Sequence, residues 1–194
     1  MSSFSRARMD AFWQRWLEAN REAERRADWS LLADFYAEDA TYGWMYNPDE
    51  HFMAVGREEI RDYAVGTEMA GLDGWHYDYV ATVVDDRAGM IVGFWKQRAG
   101  VHDEDGREYE VTGIGGSWFG YGEDERGGGR FDWQRDWFDL GSVAHTFLSI
   151  VKAGRAAQGL IDRMSLDGPS QPGHYRWAEL PSTVWPPAVE GGHR

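Results

Sequence analysis

The spacing of apolar residues changes once along this chain, near Trp75, and that change restricts the fold more than any other feature. Before it, Met9, Phe12, Trp13, Trp16 and Leu17 recur at i, i+3, i+4, i+7 and i+8, which is one apolar face of an amphipathic helix. Asp28 is placed to cap a second, short helix carrying Leu31, Leu32, Phe35 and Tyr36. Residues 40–44 then read as a short strand, 45–55 as a loop, and 57–69 as a third helix with Ile60, Tyr63 and Ala64 on one side. After Trp75 the period is two, and strands are predicted over 75–84, 89–98, 108–121 and 130–139. The polar runs 85–89 and 103–106 have the composition of hairpin turns, and 122–129 that of a longer glycine-rich loop. A last helix is predicted over 142–152, with Val143, Phe147, Leu148 and Val151 at helical spacing. Helices grouped before hairpin-linked strands predict an α+β fold, an antiparallel sheet with the helices packed on one face.

A length of 194 residues suits one domain and a modest extension. The boundary is placed at 1–153 for the domain and 154–194 for the extension. That extension holds five of the six prolines and is expected to wrap the domain or to be partly disordered. The net charge of −13 argues against nucleic acid and against an anionic membrane surface as partners. No apolar run approaches the length of a membrane span and the first nine residues are polar, so a cytoplasmic protein is expected. With no Cys and six scattered His, neither a disulfide framework nor a metal site is expected.

The 11 Trp, 9 Tyr and 9 Phe are more ring area than a core of this size needs. Rings at this density either line a cavity, since Trp and Tyr offer apolar area and keep one polar atom for a ligand, or form an aromatic core plus a subunit interface.

Four runs carry a resemblance: Asp28-Trp29 with Leu31 and Leu32; Phe35-Tyr36-Ala37-Glu38-Asp39-Ala40-Thr41-Tyr42; Gly56-Arg57-Glu58-Glu59-Ile60; and Trp133-Gln134-Arg135-Asp136-Trp137-Phe138-Asp139. In this order the chain resembles the nuclear transport factor 2-like superfamily, in its SnoaL-like branch, over about residues 9–150. The resemblance implies a cone-shaped fold with a site between the curved sheet and the helices, and a homodimer or higher homo-oligomer through the outer sheet face. Compared with limonene epoxide hydrolase-like members, Asp136 falls on the catalytic acid and Tyr42 on a water-holding tyrosine. Trp44 replaces their asparagine, and Trp95 and Gln97 replace their arginine and second aspartate, which argues against the same hydrolysis. The ketosteroid isomerase positions are occupied by Trp44, Trp16 and Ser117, so that machinery is missing as well. Similarity to scytalone dehydratase-like members selects Tyr42 and His76.

Strand alternation groups Asp136 with Asp132, Gln134 and Phe138, and opposes this set to Arg135, Trp137 and Asp139. An acid among rings would have a raised pKa and suit general acid/base work. His76 would help to move the proton, although its parity opposes it to Trp75, Tyr77 and Tyr79. His51, in the loop that could lid the cone, and His145 on the last helix are lesser candidates. Gly113 and Gly115 beside Ser117 would floor a groove walled by Trp44, Tyr79 and Trp95, and Gln97, Gln134 and Phe138 complete the expected binding surface. The expected function is a cofactor-independent enzyme acting on a hydrophobic aromatic or polycyclic small molecule, using Asp136, Tyr42 and His76. Lyase chemistry (dehydration, or carbon–carbon cleavage beside an aromatic alcohol) is the leading reading. Hydrolase or isomerase activity with rearranged residues is one alternative, and a noncatalytic binding or assembly module the other.

Overall fold

A computed structural model describes residues 4–166 and 168–186. The long helix α1 (Arg6–Arg26) buries Met9, Phe12, Trp13 and Trp16, the face set by the apolar spacing. It ends where Ala27 turns left-handed (φ 51°), and Arg25 and Arg26 place positive charge at its C-terminal end. A 3-10 turn over Ser30–Phe35 leads into β1 (Tyr36–Asn47). The expected loop over 45–55 is in fact the second half of a hairpin. β2 (Glu50–Val55) pairs antiparallel with β1, from Thr41 opposite Val55 to Met45 opposite His51. The third expected helix breaks into α2 (Arg57–Glu59), a π turn over Ile60–Ala64 and a 3-10 turn over Thr67–Met69.

β3 (His76–Asp85), β4 (Met90–His102), β5 (Glu108–Glu110), β6 (Gly115–Glu123) and β7 (Gly129–Trp137) follow. The single strand expected over 108–121 is two, separated at 111–114. The sheet order is β3-β4-β6-β7-β1-β2-β8, with β5 on β4. Pairing is antiparallel throughout except between β1 and β7, which run parallel with Tyr42 beside Gln134. The sheet is therefore mixed, because β1 precedes the helical segment and β7 closes the hairpin series. After β7 come α3 (Leu140–Lys152), capped by Asp139 at the backbone N–H of Ser142, and α4 (Gln158–Met164).

The segment after 154 is built into the structure. β8 (His174–Tyr175) adds a strand to β2, and the buried Arg135 donates to the carbonyls of Thr183 (2.8 Å) and Val184 (2.9 Å). The part of the expected extension over 187–194 lies outside the described residues. No helix among the described residues is long and apolar enough to cross a membrane.

The main core joins α1 to the inner sheet face: Phe12, Trp16, Phe119 and Phe131 meet edge-on or stacked at centroid distances of 4.3–5.5 Å. Rings also explain the glycines. A Cβ on Gly115 would lie 2.1 Å from the indole of Trp95, and one on Gly93 would lie 2.5 Å from the ring of Tyr79. Each ring lies flat over a glycine of the adjacent strand, so the glycines make room for aromatic side chains and do not themselves floor a groove. Gly113, expected in that floor, instead faces the Asp139 side chain.

Candidate active site

Three inward residues of β1 and three of β7 form the heart of the site. Along β1 the alternation presents Tyr42, Trp44 and Tyr46 to one cavity, and along β7 it presents Gln134, Asp136 and, just past the strand, Phe138. The cavity has a volume of about 400 Å³, within the usual size for a small-molecule site. Tyr79, Trp95, Gln97 and Ser117 line it from β3, β4 and β6. Val143, Phe147 and Leu148 of α3 and Met164 of α4 close its other side; Leu148 and Met164 are exposed, which puts the mouth between these helices.

Asp136 is the centre of a hydrogen-bond network. Its Oδ2 accepts from the Tyr42 hydroxyl at 2.6 Å and its Oδ1 from Gln134 Nε2 at 2.7 Å. Gln134 Nε2 also reaches Ser117 Oγ at 3.3 Å, and Trp95 Nε1 donates to the same hydroxyl at 3.0 Å. The buried Tyr36 hydroxyl donates to Gln134 Oε1, which fixes the amide so that its N–H groups face the acid. Burial raises the Asp136 pKa to about 6, against the opposing hydrogen bonds from Gln134, Tyr42 and Ser117. The carboxyl keeps some exposure to the cavity. Burial first, and the neighbouring Asp136 charge second, push the Tyr42 hydroxyl well above its ordinary value, so Tyr42 stays a phenol that donates.

Two strand irregularities decide which neighbours face inward. In β7 the pairing steps from Phe131–Tyr121 to Trp133–Gly120, so Asp132 is an extra residue; it is exposed and pairs with Arg130 at 3.2 Å. Asp132 therefore leaves the inward set that simple alternation gave it. In β3 Tyr77 and Tyr79 share the inward face by alternation; the extra residue after them is Val80, 60% exposed, and the shift turns Thr82 and Val84 inward, where Thr82 Oγ1 accepts from Trp13 Nε1 at 3.1 Å and Val84 packs on the main core.

His76 is a correction. It does not line the cavity: its Nε2 lies 2.9 Å from Glu108 and its Nδ1 3.5 Å from Asp78, in a surface cluster with Arg98. Alternation opposes it to Tyr77, and the shift at Val80 comes too late in the strand to reverse that. His51 sits in β2 opposite Tyr175, edge-on to Trp177, and is no part of a lid loop. His145 is exposed on α3 and does not line the cavity.

A second polar cluster was not foreseen from the sequence. Glu68, at the end of the broken helical segment, accepts from the Tyr46 hydroxyl and lies 3.0 Å from His174 Nε2 and 3.3 Å from Arg163 Nη2. His174 Nδ1 lies 2.7 Å from Glu50. Burial works against the charged imidazole, but the two carboxylates outweigh it and raise its pKa. Burial likewise opposes the Glu68 charge, and His174, Arg163 and Tyr46 together lower its pKa. Only Tyr46 carried a local signal, as the next inward position after Tyr42 and Trp44; Arg163 and His174 come from the C-terminal segment. Among the described residues no group of three or more His, Cys, Asp or Glu is placed to hold a metal ion.

This arrangement of sheet and helices is shared with solved structures. PrhC from Penicillium brasilianum is 16% identical over 81% of this chain and 96% of its own, with a TM-score of 0.53. An NTF2-like protein from Anabaena variabilis is 14% identical over 72% of this chain and 95% of its own, with a TM-score of 0.51. The fold is nuclear transport factor 2-like. A SnoaL-like protein from Shewanella putrefaciens, 14% identical over 70% of this chain and 85% of its own, has a TM-score of 0.49. No protein-family model matches the chain, and no curated protein matches it. A nuclear transport factor 2-like cone hosts many chemistries, so the reaction must be argued from the site residues.

Proposed function

We propose that this protein is a cofactor-independent enzyme that moves protons on a hydrophobic, ring-bearing small molecule, with dehydration as its reaction. The observation that carries this reading is the Asp136 carboxyl, raised to about 6 by burial and turned into a ring-lined cavity. A carboxyl with that pKa is a stronger base than an exposed aspartate and can still return its proton near neutrality.

Asp136 in its ionised form takes a proton from the carbon beside a hydroxyl-bearing carbon. The C–H electron pair becomes the new double bond, the C–O bond breaks, and the departing oxygen receives that proton from Asp136 and leaves as water. Tyr42 and Gln134 hold the two carboxylate oxygens in one orientation throughout. The apolar walls keep bulk water away from the developing charge. His76, being outside the cavity, has no part in this scheme.

The test is a screen of aromatic and polycyclic alcohols for product formation without added cofactor, followed by Asp136→Asn. Turnover should fall by about 10²–10⁴-fold with ligand affinity largely kept. Binding with no turnover in the wild-type protein would instead identify a binding module.

A further inference from the structure

The cavity has two polar poles. Tyr42, bonded to Asp136, and Tyr46, bonded to Glu68, are four residues apart on one strand, roughly 13 Å along it, and Trp44 stands between them. At the second pole the α4 residue Arg163 lines the cavity with its side chain one-fifth exposed. Its guanidinium makes two long hydrogen bonds, to Glu68 Oε2 at 3.3 Å and to the Ala70 carbonyl at 3.4 Å. Among the described residues five N–H donors serve two acceptors, so donors remain for a ligand. Glu68, as a carboxylate, has no donor to offer: its Oε2 accepts from Tyr46 and Arg163, and its Oε1 lies 3.0 Å from His174 Nε2.

We infer that Arg163 is a specificity-determining residue that binds a neutral acceptor oxygen, a ketone or quinone carbonyl, at the end of the substrate remote from Asp136. Charge selects a neutral group over an anion. With His174 in its imidazolium form, Glu50 and Glu68 are matched by His174 and Arg163, so this largely buried cluster already balances. A carboxylate would add an uncompensated charge beside Glu68, which a low-dielectric site penalises heavily. A carbonyl oxygen adds none and takes the free guanidinium donors. The C-terminal segment that carries Arg163 and His174 thus does more than cover the cone: it supplies the group that reads the ligand. The inference rests on the ring-bearing substrate proposed above and deepens it.

The experiment measures binding, by quenching of tryptophan fluorescence and by calorimetry, for three probes: 2-acetylnaphthalene, 2-ethylnaphthalene and 2-naphthoate. The wild-type protein should bind the ketone about tenfold more tightly than the ethyl compound, the size of one hydrogen bond to a charged donor. Arg163→Met should abolish that preference and Asp136→Asn should keep it. Arg163→Lys, which retains the pairing with Glu68 and so guards against loss of the fold, should keep only part of it. A preference that survives Arg163→Met, or one lost in Asp136→Asn, overturns the assignment while leaving the proposed chemistry standing. Tightest binding of the naphthoate, dependent on Arg163, overturns the neutral-ligand claim. Failure of all three probes to bind overturns the ring-bearing substrate and this inference with it. Loss of turnover in Asp136→Asn is read separately and bears on the chemistry alone.

Discussion

Tyr42 donates its hydroxyl proton to Oδ2 of Asp136 across 2.6 Å, from a strand that runs parallel to the one carrying the acid. Tyr42 pairs with Gln134, not with Asp136, so its ring leans one inward step along β7 to reach the carboxyl. Gln134 takes the other oxygen, and between them the two residues fix the plane of the acid.

Because Tyr42 stabilises the charged form of Asp136, Tyr42→Phe should raise the Asp136 pKa further. A hydrogen bond to a charged group contributes about 1.5–3 kcal/mol, or roughly one to two pH units. The pH at which turnover reaches half its maximum should therefore move upward from about 6 in the variant. An unmoved midpoint in the pH–rate profile would show that the bond is not made in solution.

Stability should carry the same signature. The folded pKa of Asp136 is about 6 against 3.8 for an ordinary aspartate, so between these values the folded state binds more protons than the unfolded. Stability then falls as pH rises through that window, by roughly 3 kcal/mol at the most. Asp136→Asn should remove the effect: urea melts at pH 8 should show the variant more stable than the wild type, and melts at pH 4 should show little difference.

His174 shifts stability in the same direction with pH, but because its charged form is the favoured one. Its folded pKa is raised above 6.5 despite its burial, because Glu68 and Glu50 flank it, so its contribution is full below about 6.5 and is lost as pH rises through the folded value. Docking of α4 and β8 should loosen on that rise. Hydrogen exchange of residues 158–175, measured below and above the transition, should quicken at the higher pH. His174→Gln should exchange quickly at both.

Gly115→Ala should disturb the cavity wall without touching the acid. The added methyl would meet the Trp95 indole at 2.1 Å and push it from its bond to Ser117. Overpacking of this kind costs about 1–3 kcal/mol. A lower melting temperature with weaker ligand binding is expected, and an unchanged pair of values would mean that Trp95 has room to move.

His76→Gln should leave turnover within about twofold, since the imidazole lies in a surface charge cluster outside the cavity; partly exposed pairs of this kind contribute about 1 kcal/mol or less. A large loss of activity would show that the surface cluster communicates with the cavity.

The sequence by itself determined the order and type of most elements, because apolar period is a local property: the α1 face, the hairpins β3–β4 and β6–β7, and the inward set Tyr42, Trp44, Gln134, Asp136 and Phe138 all follow from spacing of 3.6 or 2. It also selected the acid, through a run that resembles a known one. Only the tertiary structure decided what depends on pairing between distant segments. The extra residues Val80 and Asp132 are visible only against their partner strands; the first turns Thr82 and Val84 inward and the second takes Asp132 out of the inward set. The hairpin partner β2 has the composition of a loop because Glu50 and His51 look polar until Glu50 meets His174 and His51 is covered beside Trp177. Arg163 and His174 sit in a segment with no apolar period to announce it; Arg163 lines the cavity and His174 backs it because both meet Glu68, about a hundred residues earlier.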